Sequence, residues 1–168
     1  MRRPAAYARG RNQHGSSAVE FALVLPLLCL LIFGIIDYGL LYNNSLSLRQ
    51  GIRESARQGV VRNFSTTGCT TGTDLVNLVC KTDKTVGSIA GTTYSKVVVP
   101  QGWAKGKPLK VCSMVKTHGA TGLVPYPSGG WLKQQVLMSI EADAAPLPTG
   151  GSTYADTLPA GQSWSGCT

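Results

Sequence analysis

Histidine is nearly absent from this 168-residue chain, which carries only His14 and His118, and acidic residues number just eight. A histidine-based triad would have a single candidate base, His118, with no recognisable nucleophile motif beside it. Also missing are a G-x-x-x-x-G-K-[ST] phosphate loop, a G-x-S-x-G elbow and an H-E-x-x-H pair. Glu141 and Asp143 lie near each other, but alternate positions on a strand or loop are too common a pattern to signal a glycosidase. Five cysteines occur without a C-x-x-C pair, which argues against a four-cysteine zinc site. His118, in the turn-like stretch THGATG, reads as a loop residue. We therefore expect a protein that is not an enzyme, with no catalytic residue, no metal and no cofactor.

Charge is the next scarcity, at 14% of residues against 43% hydrophobic, and 20 Gly with 9 Pro make a turn-rich chain that still has apolar surface for a core. Disorder throughout is excluded. The net charge of +8 is uneven: residues 1–15 hold four Arg and no acid, residues 16–62 four Arg against three acids, and residues 63–168 eight Lys against five acids. Every Arg lies at or before Arg62 and every Lys at or after Lys81, which marks two compositional regimes. The length allows one small domain plus an appendage.

Residues 21–36, FALVLPLLCLLIFGII, carry no charge, and apolar character continues past Asp37 to Tyr42. The stretch 21–42 as a helix would measure roughly 33 Å, about the thickness of a bilayer's hydrocarbon core. A domain this small has too little protein to surround such a helix, so a membrane span is the reading that survives. Arg2, Arg3, Arg9 and Arg11 precede it. The positive-inside rule then places the N-terminus in the cytoplasm and everything after Tyr42 outside, as a single pass through the cytoplasmic membrane. A cleaved secretory signal would have a shorter apolar region and a small-residue site after it, whereas the exit here is DYGLLYNN. Glu20 and Asp37 sit at the two ends of the run, where an ionisable group calls for a partner. Pro26 predicts a kink or local melting, and Cys29 reads as a small hydrophobe.

Beyond Tyr42 helical spacing continues, with Leu41, Ser45, Leu48, Ile52, Ser55, Ala56 and Gly59 forming one apolar and small-residue stripe. Residues 16–62 as one helix would extend roughly 70 Å, a membrane helix continued as an amphipathic stalk. Its stripe suits packing against a partner helix or against the chain's own outer domain. Arg49, Arg53 and Arg57 recur every four residues, a pattern first explained as a solvated face and second as a surface for an acidic partner protein or anionic headgroups.

In residues 63–168, a helix is predicted over 74–80 and strands over 94–99, 109–116 and 134–141. The expected fold class is therefore α+β, a long membrane-spanning helix and stalk followed by a small antiparallel-sheet domain with a short helix. Cys69, Cys80, Cys112 and Cys167 all fall on the outer side, an even number in an oxidising location, so disulfides are expected. Three pairings are possible. We favour Cys69 with Cys80, stapling the short helix to the loop before it, and Cys112 with Cys167, tying down a Gly- and Pro-rich tail. The eight lysines are too scattered, and the local excess too modest, for a nucleic-acid surface. Core packing is the first reading of Tyr94, Trp103, Tyr126 and Trp131, with glycan or solid-surface binding the second.

His14-Gly15-Ser16-Ser17-Ala18-Val19-Glu20-Phe21 resembles the processing site of type IV pilin-like proteins: basic leader, Gly, four small or apolar residues, Glu, aromatic, apolar helix. More narrowly, Glu20 to Pro26 (EFALVLP), then Gly34-Ile35-Ile36-Asp37-Tyr38-Gly39, then Arg53-Glu54-Ser55-Ala56-Arg57-Gln58-Gly59, is similar to the TadE-like pseudopilins of the tight-adherence (Tad/Flp, type IVb) pilus system. The resemblance covers about residues 15–62. It implies removal of residues 1–15 by a prepilin peptidase cutting after Gly15, with Ser16, Glu20 and Phe21 completing the site. It also implies packing against other pilin-like subunits, for which Pro26, Asp37 and Arg57 are the candidates. The implied partners are the peptidase, other pilins, the Tad membrane assembly platform and the lipid bilayer, with no nucleic acid. The expected function is a minor pilin acting in pilus assembly or priming for adhesion. The alternatives are a single-pass anchored binding module that is never cut and, third, a membrane-tethered hydrolase.

Overall fold

The computed structural model describes residues 14–70, 72–87, 91–122, 125–143 and 147–167. The leader arginines Arg2, Arg3, Arg9 and Arg11 lie outside the described residues. The chain opens with α1 (His14–Val60), 47 residues long, which at 1.5 Å per residue spans roughly 70 Å. It begins two residues before Ser16, so Gly15 is helical, and it runs through Pro26 without interruption; the local melting foreseen there does not occur. α1 ends where Asn63 N–H donates to Gln58 O and Arg62 N–H to Gly59 O, both at 2.9 Å. That is the Schellman closure, with Arg62 at φ 63° in the position usually given to glycine. The Arg62 guanidinium also donates to Asp143 O at 3.0 Å.

The second helix, α2 (Asp74–Val86), is nearly two turns longer than residues 74–80. Lys81-Thr82-Asp83-Lys84 looks like a polar exit in sequence, yet each of the first two is held in the fold. Thr82 is fully buried and donates its hydroxyl to Leu78 O at 2.7 Å. Lys81 lays its stem on the core and donates to Asn63 O and Ser65 O at 2.9 and 3.1 Å.

Four strands follow: β1 (Thr93–Val98), β2 (Pro108–Lys116), β3 (Trp131–Ser139) and β4 (Thr153–Ala155). They form one sheet in the order β3-β2-β1-β4, antiparallel throughout. β3 begins and ends earlier than residues 134–141, and β4 lies in the tail, where three residues are too few to show alternation. Register places Ser95 opposite Ser113 and Val97 opposite Val111, with Val111 opposite Val136 and Leu109 opposite Met138. Because side chains alternate between faces, this set turns toward the helices. Lys96, Cys112 and Gln135 form the matching row on the other face.

The core joins that inner face to both helices. Leu48, Ile52, Ala56 and Val60 of α1 pack with Leu75, Leu78, Val79 and Val86 of α2, with Val97, Leu109, Val111 and Val115 of the sheet and with Val99 just after β1. The upper half of α1 is thus the central helix of the outer domain, and packing does not divide at residue 62, where the charge composition does. Close approach comes from two glycines one pair of turns apart. A Cβ on Gly51 would stand 2.7 Å from Val86 Cγ2, and one on Gly59 would stand 2.8 and 2.9 Å from Leu109 and Leu78 methyls. Within the same core, Phe64 and Trp103 meet edge to face at 5.4 Å.

Two disulfides form, Cys69 with Cys80 and Cys112 with Cys167, their Cα atoms 5.8 and 6.3 Å apart; Cys29 is free. The first ties α2 to the loop before it, and the second draws the tail across the outer face of the sheet beside Val98 and Trp164.

Gly59→Val should lower the unfolding temperature of the outer domain, because the added methyls force Leu78 and Leu109 off their packing positions at a cost of about 1–3 kcal/mol. Thermal unfolding of the full chain in detergent, followed by circular dichroism, checks this; an unchanged midpoint would contradict the close helix packing.

Candidate functional site

Below Asp37, the described side chains of α1 from Ser17 to Ile36 are exposed, apart from Cys29 and Gly34, which are half-buried. An 18-residue window here has mean hydropathy 2.7 and none of it is buried inside the molecule. Leu23, Leu27 and Ile35 are at least 65% exposed, which only lipid or other helices could cover. The helix is long and apolar enough to cross a membrane. At its start, Glu20 and Phe21 are both exposed, and no described residue lies within 4 Å of where a Cβ on Gly15 would stand. Among the described residues, then, no steric contact demands glycine at position 15. The side chain of Ser16 lies outside the described residues.

Asp37 is different. It is fully buried on a helix whose neighbours are exposed, because the loop after β2 folds down onto it. The backbone N–H groups of Ala120 and Thr121 donate to Asp37 Oδ1 at 2.9 and 3.2 Å, and the Thr121 hydroxyl donates to Oδ2. Tyr126 donates its hydroxyl to the Asp37 carbonyl at 3.0 Å, and its ring lies 6.4 Å from that of Tyr38. Desolvation, with Asp37 and Tyr38 adding to it, holds the Tyr126 hydroxyl above its usual range, so it remains a donor. Gly119 permits the approach, since a Cβ there would sit 3.2 Å from Asp37 Oδ2 and 3.3 Å from the Tyr126 hydroxyl. The loop's base is pinched shut by Thr117, whose N–H and hydroxyl both donate to Gly130 O at 2.9 and 3.0 Å. Gly130 has φ 83°, and a Cβ there would stand 2.4 Å from Thr117 O, so only glycine closes the loop.

The partner that the sequence demanded for Asp37 is therefore the chain's own loop. Gly119, Thr121 and Tyr126 were not legible as its companions; the only hints were the turn-like THGATG stretch and the carboxylate's own need. The docking also moves the apolar span. Leu41 is half-buried and shares a groove with Tyr38, Tyr42, Ser45 and Leu132 of β3, so residues 37–42 lie beside the outer domain. The 20 residues 17–36 that remain below it measure roughly 30 Å as a helix, which matches a hydrocarbon core without residues 37–42.

Higher on α1, Arg49, Arg53 and Arg57 are all exposed. Arg57 bonds Glu54 on its own helix at 3.1 Å. Hydrogen bonds from Arg57 and Gln58 hold the Glu54 carboxyl below its ordinary value. Of the sequence-derived residues, the structure brings together the two cysteine pairs; Gly15, Glu20, Pro26, Asp37 and Arg57 are strung along one helix.

A second carboxylate cluster lies between α2 and the sheet. Asp83 Oδ1 accepts from the Ser95 hydroxyl at 2.6 Å, and Asp156 Oδ2 accepts from Ser95 N–H at 2.7 Å. Burial pushes the Asp83 carboxyl up from 3.8 to about 7, with the Ser95 hydrogen bond opposing and Asp156 adding to the rise. Among the described residues, no group of three or more His, Cys, Asp or Glu side chains could hold a metal ion. His118 is exposed. A cavity of about 340 Å³ between the sheet and the tail is lined by Met114, Lys133, Gln135, Trp164 and the Cys112–Cys167 pair.

Residues 15–57 match the family model described as TadE-like protein. The match starts at Gly15 and ends at Arg57, inside α1, so the likeness is carried by the helix with its exposed apolar half and the latched Asp37. TadE-like proteins are components of Tad pilus systems and structural in kind. No curated protein and no solved structure gives a significant match to the chain.

Asp37→Ala should strip three donors of their acceptor at about 1–3 kcal/mol, so hydrogen exchange at Ala120 and Thr121 should accelerate by at least about tenfold. Asp37→Asn, which keeps an acceptor oxygen, should do less, and equal protection in Asp37→Ala would refute the latch.

For Asp83 the sign follows from its raised value. The folded chain keeps a proton that the unfolded chain releases above about pH 4, so this group's contribution to stability falls as pH rises from about 4 to about 7. Asp83→Asn should flatten that slope and raise the unfolding temperature at pH 8; a variant that melts lower than wild type at pH 8 would contradict the assignment.

Proposed function

We propose that this chain is a non-catalytic minor pilin that a prepilin peptidase cuts after Gly15, and that the mature subunit acts in assembly or priming of a Tad/Flp pilus for adhesion. The observation that carries the reading is the unpartnered apolar half of α1, which starts at the Gly15 to Phe21 pattern and lies within the TadE-like match. A helix that leaves its large apolar side chains exposed is built to be covered, first by lipid and then by neighbouring helices. In this reading residues 1–15 are the leader, 16–62 the membrane helix and stalk, and 63–168 the extracytoplasmic domain.

The N-terminus faces the cytoplasm in this reading, held there by the leader arginines. α1 is helical across Gly15, so its first turn must open to enter a protease cleft, and glycine, with the weakest helix preference after proline, lowers the cost of opening. After the cut the new amine of Ser16 stands one helical turn from Glu20, or reaches the Glu20 of a neighbouring subunit. Water is excluded inside a helix bundle, so pairing that carboxylate matters more there than in the lone subunit, where Glu20 is exposed. Pro26, Asp37 and Arg57 are the proposed packing positions toward other pilins and the assembly platform. For Asp37 that role acts through the latch, which fixes the outer domain's height on the helix.

N-terminal sequencing of the mature protein separates this reading from an uncut anchored binding module, since it requires Ser16 as the first residue. Gly15→Trp should leave membrane insertion intact and block leader removal. Glu20→Leu should be inserted and cut but recovered poorly in sheared pili. Normal-sized mature protein from Gly15→Trp would refute the cut site, and wild-type incorporation of Glu20→Leu would refute the ion-pair role.

A further inference from the structure

The latch fixes which end of the outer domain faces the membrane. Ala120, Thr121 and Tyr126 bond Asp37, while at the opposite end of the sheet Glu141 N–H donates to Val60 O at 3.2 Å. The strands therefore run along α1, with the end of β2 at Lys116 and the start of β3 at Trp131, which are register partners, at the level where the apolar span begins. β1 brings Tyr94 to the same end: its ring lies 6.1 Å from Trp131. Lys116 Nζ lies 6.0 Å from the Trp131 ring centre. Tyr38 and Tyr126 form a further ring pair beside Asp37. Half-buried or exposed aromatics thus collect just above the unpartnered segment of helix, where amphipathic rings favour a membrane interface.

The charge at that end has one sign. Lys116 pairs in register with Trp131 and Lys133 with Met114, both lysines are exposed, and residues 84–140, which supply β1, β2 and β3, contain no Asp or Glu. On α1, residues 38–53 likewise carry Arg49 and Arg53 and no acid. Asp37 itself is fully buried and its carboxylate is engaged by the loop. Asp83 of α2 and Asp156, just after β4, both bind Ser95. Ser95 pairs with Ser113, three positions up β2 from Lys116, so both carboxylates are held between α2 and the sheet.

We propose that the lower end of the outer domain, formed by Tyr94, Lys116, His118, Tyr126 and Trp131 beside Tyr38 of α1, is a docking surface for anionic phospholipid headgroups. The inference rests on the membrane-anchor part of the reading above and does not require that the leader be cut. What covers the surface follows from the anchor. The span 17–36 ends at Asp37, so the surface is held at the bilayer, and the local concentration of headgroups is set by the covalent link rather than by diffusion. Lysine near an anionic leaflet is attracted over about a Debye length, and Trp131 and the tyrosines supply the interfacial rings. The latch and the rim then act together: the latch sets the domain's height, and the rim holds it flat on the leaflet, keeping residues 17–36 in register with the hydrocarbon.

The test uses the full-length chain reconstituted into vesicles of phosphatidylcholine alone or with one third phosphatidylglycerol. The readout is quenching of Trp131 emission, taken as the difference between wild type and Trp131→Phe, by phosphatidylcholine brominated near the headgroup end of its chains. Quenching should be present in both vesicles and stronger by about twofold or more with phosphatidylglycerol. Lys116→Gln should remove most of that difference, as should high salt on the wild type, which requires no variant. A chain that floats with the vesicles while Trp131 stays unquenched overturns the lipid surface and leaves the anchor standing. A chain that does not float overturns the anchor and the proposal with it. Trp131 shielding that rises with protein-to-lipid ratio and is indifferent to phosphatidylglycerol assigns the surface to a second copy of the chain and also overturns the proposal.

Discussion

One helix has to satisfy two surroundings, and the buried carboxylate of Asp37 stands where they meet. Below it most of the described side chains of α1 are exposed and apolar; above it Leu48, Ile52 and Ala56 are buried in the core of the outer domain. A carboxylate on such a boundary is stable only with its oxygens fully engaged, since an unpaired buried charge is strongly destabilising. The loop between β2 and β3 meets that need with two backbone N–H groups and a hydroxyl. Those contacts require close backbone approach at Gly119 and a left-handed turn at Gly130. The demand of a single side chain on the helix therefore shapes a loop more than 80 residues away in sequence.

The outer domain is organised to grip the same helix. α2 and the sheet enclose α1 between residues 48 and 60, and each fully buried aliphatic side chain there contributes about 1.5–3 kcal/mol. Gly51 and Gly59 let the second helix and β2 approach closely enough for that burial to be continuous. The disulfides act on the periphery of this grip. Cys69 and Cys80 secure α2 to the loop before it, and Cys112 and Cys167 hold a tail of irregular structure against the sheet's outer face, each reducing the freedom of the unfolded chain. A domain fastened this firmly has a fixed position relative to the apolar half of α1.

The arginine row and the acidic pair show how charge is placed around that grip. Arg49, Arg53 and Arg57 stay on the exposed side of α1, where mutual repulsion is screened and Glu54 offsets one of them. Asp83 and Asp156 are instead drawn together under β1 by Ser95, an arrangement tolerable because the buried carboxyl of Asp83 can retain its proton. The lysines of the sheet are distributed on strands with no acid among them, so the domain presents a basic outer face and lower edge.

The long apolar helix, the stripe continuing it, the short helix and three of the four strands were legible from the amino-acid sequence, because each follows from local periodicity or charge; cysteine placement left three pairings possible, and the structure forms the favoured one. α2 extends beyond residue 80 because Lys81 and Thr82 find carbonyl partners in the fold, and local polarity cannot report such partners. β4 escaped because a three-residue strand has no period to read and exists only by pairing with β1. The sequence alone also determined that Asp37 needs a partner. Only the tertiary structure decided that the partner is Ala120, Thr121 and their loop, and that the apolar span therefore stops at residue 36, because a long-range hydrogen-bond partner is set by where the sheet places a turn in space.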